Sequence, residues 1–161
     1  GPPAPDRPTS GAHDHPSTPN RWRHRDWRHA THSPNHRPSL HADRRPAESL
    51  LARGPRLVVV TGLPLGARRI AAVAVDKAGA WVVDVPRLDL SAHGAGDTFA
   101  ALFLGHYLRR RSPGVALACA MSAQHAIMRA SARQGGAELQ IIAAQDAFAR
   151  PKTLFKAKRL R

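Results

Sequence analysis

Gly94-Ala95-Gly96-Asp97, followed directly by Thr98-Phe99-Ala100-Ala101-Leu102-Phe103-Leu104, sets a glycine turn and an aspartate at the mouth of an amphipathic helix. Two glycines let the backbone turn tightly and approach a ligand closely. A helix start behind them leaves outward-facing N–H groups without partners, which suits an anion. An aspartate at the same spot repels phosphate, so the chemical role open to it is to take a proton from an attacking hydroxyl. The pattern reads as phosphoryl transfer to an alcohol. Taken alone, the motif also serves as an ordinary turn and helix cap, because Asp is a favoured residue at helix N-termini.

Outward from the turn, periodicity predicts a helix over Asp97–Arg111, with Phe99, Leu102, Phe103, His106 and Tyr107 as its core face. Arg109-Arg110-Arg111 complements the negative end of that helix. Ser112-Pro113 then caps a second, alanine-rich helix that runs to about Arg133 and ends before Gly135-Gly136. Cys119, the single cysteine, lies within this apolar run and is expected as a small buried core residue. Upstream, a short helix is expected near Ala47–Arg53 and a buried strand at Leu57–Leu63. Ile70–Val75 and Ala80–Val85 are expected as strands joined around Lys77-Ala78-Gly79, in a hairpin. Leu139–Ala143 is expected to close the fold as a strand.

Leu57 to Leu63, Ala80 to Pro86, the glycine turn and Leu139-Gln140-Ile141-Ile142-Ala143-Ala144-Gln145-Asp146 occur in the order and spacing of the C-terminal part of pyridoxal kinases. From about Glu48 to Arg161 the chain resembles that family, within the ribokinase-like kinases. The glycine turn belongs to the superfamily as a whole, whereas Leu139 to Asp146 and the Phe155 tail resemble the pyridoxal branch. The resemblance implies an α/β chain holding part of a ribokinase-like three-layer fold in residues 47–161. It implies ATP with Mg2+ as phosphoryl donor and pyridoxal as acceptor, in vitamin B6 salvage.

By the same resemblance Asp97 is the base that deprotonates the 5′-hydroxymethyl group and contacts the substrate. Gly94, Ala95 and Gly96, with the amide of Asp97, form the anion hole. Thr61 stands where the family places a hydroxyl residue near the nucleotide phosphates; a strand-end role is the alternative for this β-branched residue. The family often has a second hydroxyl residue next, where this chain has Gly62. His93 precedes the turn and is given no role. Magnesium ligands are expected mainly in an N-terminal half that is not encoded here, and a homodimer is the family-like assembly. A kinase of hydroxymethylpyrimidine type is the rival enzyme; it shares the turn but not the Leu139–Asp146 tail.

Residues 1–46 are a different kind of sequence. They hold nine of the fourteen prolines and seven of the ten histidines, without a run of aliphatic residues, so they are expected to be disordered. Arg21-Trp22-Arg23-His24-Arg25-Asp26-Trp27-Arg28-His29 interleaves cations and indoles as nucleic-acid binders do, which makes a basic nucleic-acid-binding protein the rival from another class. His13, His15, His24, His29, His32, His36 and His41 lack any finger spacing, so no specific metal site is expected. Thr18-Pro19-Asn20 echoes a Thr-Pro-Asn of the family, but Arg23 stands where its glutamate belongs. The segment resembles a GC-rich gene read out of frame. The expectation is therefore a frameshifted or truncated product that returns to frame near Ala47-Glu48-Ser49-Leu50-Leu51, and an inactive remnant is the third functional reading.

The formal charge of +14 is spread over both parts, with Lys152, Lys156, Lys158, Arg159 and Arg161 forming a basic C-terminus. Such faces are solvated by default and bind nucleic acid only nonspecifically. Neither a signal sequence nor a membrane-spanning apolar run is legible, which gives a cytoplasmic expectation. A partial fold is also expected to leave a sheet edge and apolar helix faces uncovered, with poor solubility as the consequence.

Overall fold

Ile70 to Val75 are six consecutive apolar residues with no polar face, a pattern that suits a strand covered on both sides. The computed structural model describes residues 40–135 and 138–160, and makes these six the centre of strand β2 (Arg69–Asp76), where Ala71 to Val75 are all buried. The expectations for residues 1–39, including the Arg21–His29 run and most of the segment expected as disordered, lie outside the described residues, as does the side chain of His41; the last seven residues of that segment, Leu40 to Pro46, are helical instead.

Strand β1 (Leu57–Leu65), β2, β3 (Gly79–Pro86) and β4 (Lys158–Leu160) form one antiparallel sheet in the order β1-β2-β3-β4. The period of two divides the core cleanly. Ala71, Val73, Val75, Ala80 and Val82 face one side, with Ala47 and Leu51 of helix α1 (Leu40–Leu51) packed among them. Ala72, Ala74, Val83 and Val85 face the other, against helices α2 (Ala95–Arg110) and α3 (Pro113–Gln134). The result is three layers, helix on sheet on helix.

The β2–β3 hairpin forms as the sequence predicts. Asp76 Oδ1 accepts from the N–H groups of Ala78 at 2.7 Å and Gly79 at 3.0 Å, an aspartate folding the turn on its own backbone. Helix α2 also follows its predicted period: Phe99 and Phe103 are buried, and the rings of Phe99, Phe103 and Tyr107 stack at 6.2 and 6.0 Å. It ends at Arg111, whose left-handed backbone returns its N–H to the Tyr107 carbonyl. Ser112 then caps α3, accepting from Val115 N–H at 3.5 Å, with Pro113 at the first helical position.

Gly114 is buried where α3 crosses β3, and a Cβ there would lie 2.6 Å from Cδ1 of Trp81. Gly114→Ala is therefore expected to cost about 1–3 kcal/mol by overpacking, seen as a lowered urea midpoint. An unchanged midpoint would mean that Trp81 swings aside without loss.

Three expectations need correction. Helix α1 starts at Leu40 rather than Ala47 and passes through Pro46. Leu139–Ala143 is not a strand: after Leu139 and Gln140 the chain turns into a single 3-10 turn (Ile142–Ala144) and a short helix α4 (Asp146–Ala149). Local N–H groups are used up in turns, Ile141 to Leu139 and Ala144 to Gln140, while the free edge of β3 is taken by β4. Ile142 consequently stands 84% exposed. β4 itself, Lys-Arg-Leu, carries no alternating pattern and forms because β3 offers an unpaired edge. Cys119 is half-buried rather than in the core, because α3 turns Ala116, Leu117, Ala120 and Met121 inward instead.

The outer edge of β1 has no partner among the described residues, and Leu104, Leu108 and Leu154 are more than half exposed. Among those residues no helix is long and apolar enough to cross a membrane.

Candidate active site

β3 runs out at Pro86, and eight residues later the chain enters α2 through the glycine turn. Gly94 is the N-cap, at φ 75° and ψ 5°, a left-handed conformation that only a residue without Cβ adopts at no steric cost. A Cβ there would meet nothing within 4 Å, so the glycine is required by backbone angle and not by space. The first intrahelical bond runs from Thr98 N–H to the Gly94 carbonyl at 2.9 Å. Helix geometry therefore leaves the N–H groups of Ala95, Gly96 and Asp97 without intrahelical acceptors, at the positive end of the helix dipole.

Asp97 is the third residue of α2 and is exposed. Because Gly94 occupies the N-cap, Asp97 is not the cap, and its carboxylate makes no hydrogen bond or ion pair among the described residues. Its charge complements the helix dipole, but its oxygens remain available to a ligand. His93 is exposed beside the turn and likewise makes no side-chain hydrogen bond there.

Thr61 does not end its strand. It lies with Gly62 at a bulge in β1, between Val60, paired with Val73, and Leu63, paired with Ala71. Gly62 takes φ 75° there, and both residues are exposed. Through β2 the bulge is level with Val83, so Thr61 stands two strands from β3, and no hydrogen bond joins it to the glycine turn. The structure brings Gly94, Ala95, Gly96 and Asp97 together in one turn, and leaves Thr61 on a separate element.

Side chains of α3 that sequence reading missed tie the site and the tail together. Gln124 Nε2 donates to the Ala95 carbonyl at 3.2 Å, across 29 residues of chain. Its Oε1 is buried with no partner among the described residues. Ser122 Oγ donates to Ala118 O and accepts from Phe155 N–H at 2.9 Å, while Ser131 Oγ donates to Ile127 O and accepts from Gln140 N–H at 2.9 Å. The His125 ring packs edge-on to Phe155 at 5.1 Å, and burial, followed by the charge of Arg129, lowers its pKa below the ordinary value. His106, expected on the core face, is half-buried and shares a hydrogen with the Phe148 carbonyl at 2.9 Å. The only legible signal for these residues is a polar side chain in an otherwise apolar helix.

A groove lined by Glu48, Leu51, Val75 to Gly79, Arg159 and Leu160 lies at the hairpin end of the sheet and shares no residue with the turn. Among the described residues no group of three or more His, Cys, Asp or Glu is placed to hold a metal ion.

No protein-family model matches the chain. Over 118 residues it is 40% identical to the pyridoxal kinase PdxY of Rubrobacter xylanophilus, a match covering 71% of this chain and 41% of that protein. Among solved structures, the pyridoxal kinase of Leishmania donovani in complex with ADP and pyridoxine superposes with a TM-score of 0.70 at 19% identity, covering 76% of this chain and 45% of that one. A phosphomethylpyrimidine kinase assigned in Bacteroides thetaiotaomicron superposes with a TM-score of 0.69, also at 19% identity, over 76% of this chain and 44% of its own. These two likenesses, each over less than half of the solved chain, show the shared fold and do not separate its branches. The chain spans about two-fifths of the length of the curated relative it matches, and over that length its sequence is similar to that of pyridoxal kinases.

Proposed function

We propose that the glycine turn and Asp97 are the phosphoryl-transfer end of an ATP-dependent pyridoxal kinase that makes pyridoxal 5′-phosphate in the cytoplasm. The observation that carries this reading is the exposed Asp97 carboxylate, which makes no hydrogen bond or ion pair among the described residues, one helical turn behind a left-handed glycine cap. In the reaction Asp97 takes the proton of the 5′-hydroxyl as its oxygen bonds to the γ-phosphorus. The bond from that phosphorus to the β,γ-bridging oxygen breaks, and ADP leaves. The N–H groups of Ala95, Gly96 and Asp97 face the transferred group and offset its charge, where one lost donor costs roughly 3–4 kcal/mol. Thr61 is assigned to the nucleotide, from the bulge of β1 on an element separate from the turn. Magnesium neutralises nucleotide phosphates when bound; no residue described here is assigned to hold it.

The test is phosphorylation by the full chain of pyridoxal and of hydroxymethylpyrimidine, with ATP and magnesium, followed by 31P NMR. Phosphorylated pyridoxal as the dominant product is the expected result. Preference for the pyrimidine alcohol would move the chain to the rival branch, and absence of any phosphorylated alcohol would reject turnover by this chain alone.

A further inference from the structure

We infer that Gln124 is the positioning residue of the glycine turn, acting through the Ala95 carbonyl. The inference rests on the phosphoryl-transfer reading above for its catalytic meaning, but its physical basis is independent. Among the described residues the Gln124 amide makes the only side-chain hydrogen bond to Gly94, Ala95, Gly96 or Asp97. That bond reaches the first residue of α2, the one whose N–H opens the row of unpaired donors.

The surroundings argue that the amide is not there for stability. Apart from Ser122 and Ser131, which are buried and bond the tail, α3 meets the rest of the fold through alanine and aliphatic residues, with Ala116, Leu117, Ala120, Ala123 and Ile127 buried. A half-buried Gln whose Oε1 is buried with no partner among the described residues sacrifices roughly 1–3 kcal/mol of desolvation at that oxygen, against a net gain of about 0.5–1.5 kcal/mol for the single bond it makes. An apolar side chain of equal volume would stabilise the protein more. What an apolar residue cannot do is hold the Ala95 carbonyl, which by helix geometry already accepts from Phe99 N–H. With two donors on one carbonyl, the first turn of α2 is clamped in azimuth against α3. The directions of the Ala95, Gly96 and Asp97 N–H groups, and of the Asp97 carboxylate, are clamped with it. Preorganised donors act at a developing charge without reorganising, so a looser turn lowers the rate more than it lowers nucleotide affinity.

The experiment compares the full wild-type chain with Gln124→Met, which keeps volume, with Gln124→Glu, which keeps shape but removes the N–H donor at neutral pH, and with Gln134→Met at the exposed end of α3 as control. Amide hydrogen exchange is followed by NMR at Thr98 and Phe99, and at Val73 in the sheet centre. Both Gln124 variants are expected to exchange about tenfold faster at Thr98 and Phe99 with Val73 unchanged. In the phosphorylation assay kcat is expected to fall about tenfold with KM for ATP held within about twofold. Unchanged exchange at Thr98 and Phe99, or acceleration of Val73 to the same degree, overturns the inference. A wild-type chain without turnover would reject the kinase reading instead, and the exchange rates would still decide on Gln124.

Discussion

Asp97→Asn is expected to slow phosphorylation of pyridoxal by about 10²–10⁴-fold, the usual worth of a positioned general base. Asn has the shape of Asp and fits the third helical position equally, so the turn keeps its geometry while losing the group that accepts the proton. The carboxylate makes no hydrogen bond or ion pair among the described residues, so little of the fold depends on it. Its one contribution to stability is its charge near the helix N-terminus, about 0.3–1 kcal/mol. The prediction is thus a large kinetic loss with a small change in melting temperature, measured by initial rates and calorimetry on the same preparation. A rate within a fewfold of wild type would remove Asp97 from the chemistry and return it to the role of a helix-dipole charge.

Leu117→Ala is expected to destabilise the fold by about 2–5 kcal/mol, a large share of the roughly 5–15 kcal/mol that holds a domain together. Leu117 is fully buried on α3, in the core that α3 and α2 form against Ala72, Ala74, Val83 and Val85. Its neighbours across the interface are mostly alanines and valines on a hydrogen-bonded sheet, which have no length to reach into the space a missing isobutyl group leaves. The cavity therefore persists, and its cost adds to the lost transfer energy. Urea unfolding should show a lowered midpoint with an unchanged slope. Ile142→Ala is the matching control: Ile142 is 84% exposed, so its removal should stay within about 0.5 kcal/mol of neutral. Equal losses from the two would mean that the exposed tail side chain packs in solution where the structure leaves it bare.

Local backbone physics made much of this molecule legible before any tertiary contact was known. The run Ile70 to Val75 has only one comfortable place, a strand covered on both faces, and it occupies one. Asp76 to Gly79 forms a turn through the aspartate's own carboxylate, and Ser112-Pro113 starts a helix by capping and fixed φ. The left-handed cap at Gly94, with Asp97 in the first turn behind it, follows from glycine's missing Cβ and the apolar period of Phe99 and Phe103. All of these depend on neighbours within a few residues, which is why composition and spacing suffice to find them.

What packing alone decided is of longer range. Leu139–Ala143 has the composition of a strand, yet β4 holds the sheet edge it would need, and its N–H groups close turns instead. Three residues, Lys158 to Leu160, become a strand only because β3 offers them its edge. Thr61 sits at a bulge rather than a strand end because β1 continues pairing through Leu65. Gln124 looks like one polar residue in an alanine helix until α2 and α3 are laid side by side and its amide meets Ala95, 29 residues away. The sequence by itself therefore determined the elements, the glycine turn and its aspartate, since each is set by backbone sterics and side-chain period. Only the tertiary structure decided which distant groups hold that turn in place, since a hydrogen bond between two helices depends on how their surfaces pack and not on any local pattern.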